Sequence, residues 1–194
     1  MHTPHIFTIG HSNHPLPHFL SLLQSHQIDV VVDTRSHPYS NHTPHFDEPS
    51  LKACLQNQAI RYLYLGKQLG GRPADRSFYD SQGHVLYARV SHSSDFREAI
   101  DRVVKGLQKY RIALLCAEEN PAHCHRRLLI TRFLTSEGIN VGHIRGDGSL
   151  QSEEDLVKKI EPQVNLFEDP DWRSEWKSTP SVSQKSQLKI SSAF

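Results

Sequence analysis

The chain has 194 residues, 37% of them hydrophobic and 22% charged, enough for one ordinary domain with a sizeable core. Its 22 basic and 21 acidic residues leave a net charge of +1 with histidine neutral, so no overall field draws it to nucleic acid or a membrane, and an anion must be held by local clustering. Three cysteines make no disulfide framework, no run approaches the length of a membrane span, and the opening MHTPHIFTIG carries no leader pattern; the expectation is a cytoplasmic protein with reduced thiols and no membrane partner.

In chain order, the run IFTI at 6–9 predicts a strand, and 17–26, with Phe19, Leu20, Leu22 and Leu23, a short surface helix. IDVVVD at 28–33 is the next strand, followed by an aperiodic stretch at 34–48. A helix at 49–58 carries Leu51, Cys54 and Leu55, and RYLYL at 61–65 reads as a strand. A second long aperiodic stretch, 66–88, comes next; loops of that length are often functional. Ser94 opens a helix at 95–109 with Phe96, Ile100, Val103, Val104 and Leu107 on one face. After a strand at 112–118, Asn120 and Pro121 suit a helix start, and 121–137 repeats Leu129, Ile130, Phe133 and Leu134. Gly138 suits the helix end, and 139–144 is the last strand. The alternation predicts an α/β fold: a single domain over 1–177 with a mostly parallel five-stranded sheet and helices on both faces. Residues 178–194 are Ser and Lys rich without an acid, and are expected to be a disordered tail.

In an open parallel sheet, ligands bind beyond the carboxyl ends of the strands. Polar residues gather there after four of the predicted strands: His11, Ser12 and Asn13; Asp33, Thr34, Arg35, Tyr39 and Ser40; LGKQLGGR at 65–72; and CAEENPAHCHRR at 116–127. Loop solvation accounts for any one of these segments but poorly for all four. Counting about 100° per residue from a helix start near His123 puts Arg126 on the buried side and His125 nearly opposite. A buried guanidinium needs an anionic partner, either a carboxylate (Asp33 or Glu118) or a bound anion at the helix start.

Cys124, beside Arg126 and Arg127, stands where a thiol pKa is depressed, with His11, His123 or His125 as a proton acceptor. The phosphatase spacing of Cys, five residues, then Arg is not met: Ile130 and Ala122 stand sixth after Cys124 and Cys116. Cys116 shares a strand face with Leu114 and reads as core, with a site role as the alternative; Cys54 reads as core. Cys116, Cys124 and one imidazole form a possible zinc or iron set, but no Cys-x-x-Cys occurs and no metal ligand is assigned. Gly66, Gly70 and Gly71 with Arg72 permit close backbone approach, without the spacing of a Walker or Rossmann loop. Tyr62, Tyr64, Tyr79 and Tyr87, interspersed with arginines, fit either a stacking surface or ordinary packing.

TIGHSN (8–13), VVDTRSHPYS (31–40), YLGKQLGG (64–71) and LLCAEENPAHCHR (114–126) together resemble the ordered motifs of the domain-of-unknown-function family 488. The resemblance runs from about residue 6 to 144; the family's usual DVR reads DTR, with Thr34 between Asp33 and Arg35. It implies an α/β domain and names no reaction. It marks Gly10, His11, Ser12, Asp33, Arg35, Pro38, Ser40, Leu65, Gly66, Gly70, Gly71, Cys116, Glu118, Cys124, His125 and Arg126 as motif positions.

These readings converge on an enzyme-like domain that binds a small phosphorylated ligand, a nucleotide or a nucleic-acid end, as a transferase or hydrolase. Arg35 and Arg126 would hold the anion, with Ser12, Ser40, Gly70, Gly71 and His125 beside them. Asp33 or Glu118 would be the general acid or base, His11 would assist, and Cys124 is a candidate nucleophile. A non-catalytic ligand sensor and a Cys/His metal or redox site are the alternatives. No cofactor and no oligomeric state can be read from the sequence.

Overall fold

Strands that lie inside a parallel sheet bury both faces, and the apolar runs of this chain do so. In the computed structural model, which describes residues 5–160 and 176–178, β1 (Ile6–Gly10), β2 (Val30–Asp33), β4 (Ile112–Cys116) and β5 (Val141–Ile144) are buried throughout, whereas β3 (Arg61–Tyr64) is a half-exposed edge. The sheet order is β3-β2-β4-β1-β5-β6, and the first five strands are parallel. A sixth strand, β6 (Leu150–Ser152), adds to the expected five and pairs antiparallel with β5. Three residues without a β-branched side chain give no sequence signal for it.

Alternation along the strands divides the core in two. Phe7, Ile9, Val31, Ala113 and Leu115 face α1 (Leu16–Ser25) and α2 (Glu48–Asn57), through Phe19, Leu22, Leu23, Leu51 and Leu55. Ile6, Val30, Val32, Ile112 and Leu114 face α5 (Ser94–Leu107) and the 126–136 helical segment, through Phe96, Ile100, Val103, Leu129, Ile130 and Leu134. Right-handed crossovers require this split, because the connections from β1 and β2 step one way along the sheet and those from β3 and β4 step the other. The connections of β1 and β4, which are neighbours, therefore leave on opposite faces, and a crevice opens at their carboxyl ends.

The 66–88 stretch contains α3 (Gly66–Leu69), a 3-10 turn at Arg76–Phe78 and the start of α4 (Tyr87–His92). Trp176 packs on the α5 side of the core, donates through Nε1 to the Leu128 carbonyl and accepts from Ala88 N at 3.1 Å. Ser178 is buried and paired with Val85; the remainder of the expected tail, 179–194, lies outside the described residues. The segment 153–160 forms α7 (Glu153–Ile160), whose Glu153 bonds His143 Nε2 at 2.7 Å and Arg127 Nε at 2.8 Å.

The helix expected at 121–137 is broken. Asn120 caps as expected, its Oδ1 accepting from Ala122 N at 3.0 Å, but the chain then makes only a 3-10 turn (Pro121–His123) before Cys124 adopts an extended conformation (φ −93°, ψ 143°). A π-helix (Arg126–Thr131) then leads into α6 (Arg132–Ser136). Helical counting from His123 therefore fails: Arg126 is fully buried as expected, but His125 is buried as well. Gly138 closes α6 at φ +78°, a backbone conformation that only glycine takes without strain.

Candidate functional site

At the crevice beyond β1, β2 and β4 lies a cleft of about 500 Å³, lined by His11, Arg35, Ser40, Gly71, Cys116, Glu118 and His125 among others. Six of the eleven expected site residues thus reach it: His11, Arg35, Ser40, Gly71, Glu118 and His125. A larger hollow of about 880 Å³ beside β6 and α7 holds none of them.

Asp33 lies behind this wall, outside the cleft lining. It is fully buried and accepts from Arg35 N (3.0 Å), Arg35 Nε (2.9 Å), Arg35 Nη2 (2.6 Å) and the Tyr62 hydroxyl (2.7 Å). Residues i and i+2 at a strand end share a face, so the DTR sequence pairs its own acid and base. The remaining Arg35 nitrogen, Nη1, donates to His11 Nε2 at 3.1 Å, while His11 Nδ1 donates to the Ser12 carbonyl at 2.7 Å. Both imidazole nitrogens are thereby committed. Burial, and then the Arg35 charge, lower the His11 pKa to about 4, so His11 is a neutral wall group and not a proton carrier near neutrality.

The densest chemistry sits at the end of β4. Cys116 Sγ lies 2.8 Å from Glu118 Oε2, 3.1 Å from Cys124 Sγ and 3.4 Å from His125 Nδ1; Cys124 Sγ lies 3.2 Å from Glu118 Oε2 and 3.9 Å from His125 Nδ1. All four donor atoms fall within 4.8 Å of one another. His125 Nε2 is 3.1 Å from the Thr34 carbonyl, which can only accept, so this nitrogen carries a proton and Nδ1 faces the thiols; against the opposing effect of burial, Cys116 and Glu118 beside it raise the His125 pKa. Gly71 allows this ring position, since a β-carbon there would meet His125 at 2.8 Å.

Burial pushes the Cys116 thiol up, but the hydrogen bond from Cys124 and the His125 charge outweigh it and bring the pKa down to about 6. Burial likewise opposes ionisation of Glu118, yet the Cys116 hydrogen bond and His125 bring it down to about 2. Each group is favoured as an anion, but two anions 2.8 Å apart repel strongly. A shared proton or a bound cation reconciles them. Tetrahedral coordination with metal–sulfur distances of about 2.3 Å and metal–nitrogen distances of about 2.0 Å spaces its donors about 3.4–3.8 Å apart. The sulfur–imidazole separations of 3.4 and 3.9 Å already suit it, and the thiols would part by about 0.6 Å.

Several expected roles change. The depressed thiol is Cys116 and not Cys124, whose pKa is raised by burial and by its hydrogen bond to Cys116, although the Cys124 carbonyl accepts from Arg127 N and Leu128 N at the start of the helical segment. Arg126 has neither Asp33 nor Glu118 carboxylate as its partner. Its Nη1 donates to the Glu118 carbonyl and its Nη2 to the Glu119 carbonyl at 2.5 Å, below the cleft floor, so it clamps the loop after β4. Ser12 stays out of the cleft, its N–H on the Ala117 carbonyl and its hydroxyl on Asn13. Gly70 packs against the Gly66 carbonyl and Ser36, where a side chain would collide at 2.2 and 2.4 Å.

Further residues complete the cleft, among them Arg72, which the sequence offered beside the glycines. Arg72, half-buried on the rim, makes no side-chain hydrogen bond or ion pair among the described residues. Tyr39 presents its ring at 59% exposure, and Ser36, His37, Asn120 and His123 complete the lining. Thr34 orients His125 and Tyr62 holds Asp33; neither could be assigned without the fold.

The family model for a domain of unknown function, DUF488, matches residues 15–133 of the chain. No curated protein and no solved structure matches it. No helix among the described residues is long and apolar enough to cross a membrane.

Proposed function

The chain belongs to the DUF488 family, and since that description names no activity, we propose from the site itself that it is a metal-dependent enzyme. Cys116, Cys124 and His125 hold one divalent ion, zinc or ferrous iron, and Glu118 handles protons beside it. The observation that carries this reading is the cluster of two thiols, a carboxylate and an imidazole whose Nδ1 is turned toward the sulfurs by the Thr34 carbonyl. Two thiolates and one imidazole are a known catalytic zinc set, which leaves a coordination position open. A bound divalent ion there supplies a Lewis acid at the cleft floor.

The ligand is phosphate-bearing. Arg72 offers a positive charge unpaired among the described residues, and the exposed Tyr39 ring on the same rim suits stacking on a base, which favours a nucleotide or a nucleic-acid end. Hydrolysis or transfer at a phosphate or glycosidic centre fits a Lewis acid, a buried carboxylate and a cationic rim. A second reading rests on the 2.8 and 3.2 Å approaches of Glu118 to the two sulfurs: with Glu118 as a fourth ligand the centre is closed, and the protein is a sensor.

Elemental analysis and cobalt(II) titration of protein purified under reducing conditions test the metal. About one ion per chain and a thiolate-to-cobalt charge-transfer band are expected, both lost in Cys116→Ser. Metal-free protein that takes up neither zinc nor cobalt overturns the proposal. Glu118→Gln with an unchanged cobalt spectrum favours the enzyme, and a changed spectrum the sensor. A nucleotide panel should raise the melting temperature of the wild type and not of Arg72→Met.

A further inference from the structure

Cys116 and Cys124 stand eight residues apart in the chain, yet their Sγ atoms lie 3.1 Å from one another. The fold holds them there from both sides. Cys116 ends β4, and Arg126 pins the loop that follows through the Glu118 and Glu119 carbonyls before the Pro121–His123 turn brings Cys124 back to the strand end. A disulfide has a sulfur–sulfur bond of about 2.05 Å, so only about 1 Å separates this contact from a bond.

The two thiols differ in their access to the cleft. Cys116 lines its floor, whereas Cys124, 1% exposed, is not among the lining residues. Only 2% of Cys116 is open, which admits a small oxidant through the cleft and shuts out a protein disulfide. Glu118 Oε2 accepts from both thiols, at 2.8 and 3.2 Å, so one carboxylate reaches both protons. The third thiol, Cys54, sits on α2 outside the cluster.

We infer that Cys116 and Cys124 are a two-electron oxidation site, at which a small hydroperoxide entering the cleft converts the pair to a disulfide. Cys116 Sγ attacks the terminal peroxide oxygen, the O–O bond breaks, and Cys116 becomes a sulfenic acid. The departing alkoxide takes the Cys116 proton, passed through Glu118, and leaves as an alcohol. Cys124 Sγ then attacks the sulfenic sulfur: the S–S bond forms, the S–O bond breaks, and the hydroxide leaves as water with the Cys124 proton. Two thiols and one hydroperoxide thus give one disulfide, one alcohol and one water, the sulfurs losing the two electrons that the peroxide gains. The inference stands without the metal reading above. Where a metal is bound, the new bond consumes both sulfur ligands and releases the ion, which ties the cleft floor to the presence of peroxide.

The test treats the full chain, purified under reducing conditions, with a small excess of hydrogen peroxide, with and without a chelator, and counts thiols after denaturation. The count should fall from three to one, and dithiothreitol should restore it. The tryptic peptide 112–126, which holds both residues, should become lighter by two hydrogens. Any zinc present should pass to a chromophoric indicator in step with the loss of thiols. In Cys124→Ser the reaction should stop at a sulfenic acid on Cys116, trapped by dimedone. Three thiols surviving in the chelated protein, a sulfinic acid on wild-type Cys116, or a bond to Cys54 would each overturn the inference while the metal reading stands. A chain that binds no metal but forms the bond overturns the metal reading alone. The mass of the wild-type peptide decides the matter if Cys124→Ser does not fold.

Discussion

Replacing Asp33 by asparagine removes the charge that balances Arg35 and little else. Arg35 is 6% exposed and Asp33 is fully buried, with Nη2 2.6 Å from Oδ2, so the pair is desolvated on both sides. The asparagine oxygen can still accept from Arg35 N and Nε, but its amide nitrogen then faces two donors, Arg35 Nη2 and the Tyr62 hydroxyl. Breaking one side of a buried pair costs about 3–5 kcal/mol. For a domain of this size that lowers the thermal midpoint by about 6–20 °C. Differential scanning calorimetry measures it directly, and urea denaturation should show a reduced midpoint at an unchanged slope. In the double variant Asp33→Asn, Arg35→Met the second substitution should cost much less than it does alone, a coupling of about 2–3 kcal/mol. A midpoint within about 2 °C of wild type would refute the reasoning and make Asp33 a proton-transfer candidate again.

Other substitutions probe the remaining parts of the site. His11 has a folded pKa of about 4 against 6.5 unfolded, so its contribution is fully present above pH 6.5, falls as pH drops toward 4 and is constant below. The loss amounts to roughly 3 kcal/mol, and His11→Gln should flatten the stability profile across that window; an equally steep profile in the variant would contradict the neutral His11. Gly10→Ala places a β-carbon 1.8 Å from the Glu118 carbonyl oxygen, main chain against main chain, and should give insoluble protein or a loss of more than about 3 kcal/mol. Gly71→Ala meets His125 at 2.8 Å and should turn the ring, costing about 1–3 kcal/mol and reducing zinc uptake; unchanged zinc stoichiometry would show that the ring has room.

The parts of the fold that periodicity encodes were legible. Val30, Val31 and Val32 announce a fully buried strand, and Phe96, Ile100 and Val103 announce the face of α5 that packs on it. Reading the polar residues at strand ends brought His11, Arg35, Glu118 and His125 to one cleft, because the sheet order fixes where strand ends meet. The failures are local. Cys124 interrupts a helix whose apolar spacing continues unbroken, and a π-turn changes the angle per residue without changing composition. Helical counting therefore assigned His125 the wrong side. The Asp33–Arg35 pair was present in the sequence as a same-face spacing, but its permanence depends on Tyr62, 29 residues away and joined only by the β2–β3 register. Cys116 looked like core because it is core: a buried thiol and a metal ligand share the same strand position until the partners at Glu118, Cys124 and His125 are seen together.

The Arg126 clamp also divides the cleft into a still wall and a wall that can breathe. The loop carrying Glu118 is fixed from beneath by Arg126 on two carbonyls, and at its side by Arg145 and Gly146 N on the Glu119 carboxylate. Opposite it, the main-chain ties of Pro38 and Ser40 run to Glu48 and Asp47, the short segment just beyond, and Tyr39 projects outward. Local opening costs least where few bonds reach the body of the protein. Amide hydrogen exchange should accordingly be fast across 37–42 and slow across 116–119, the Tyr39 wall giving way first while the acid and the two sulfurs keep their positions.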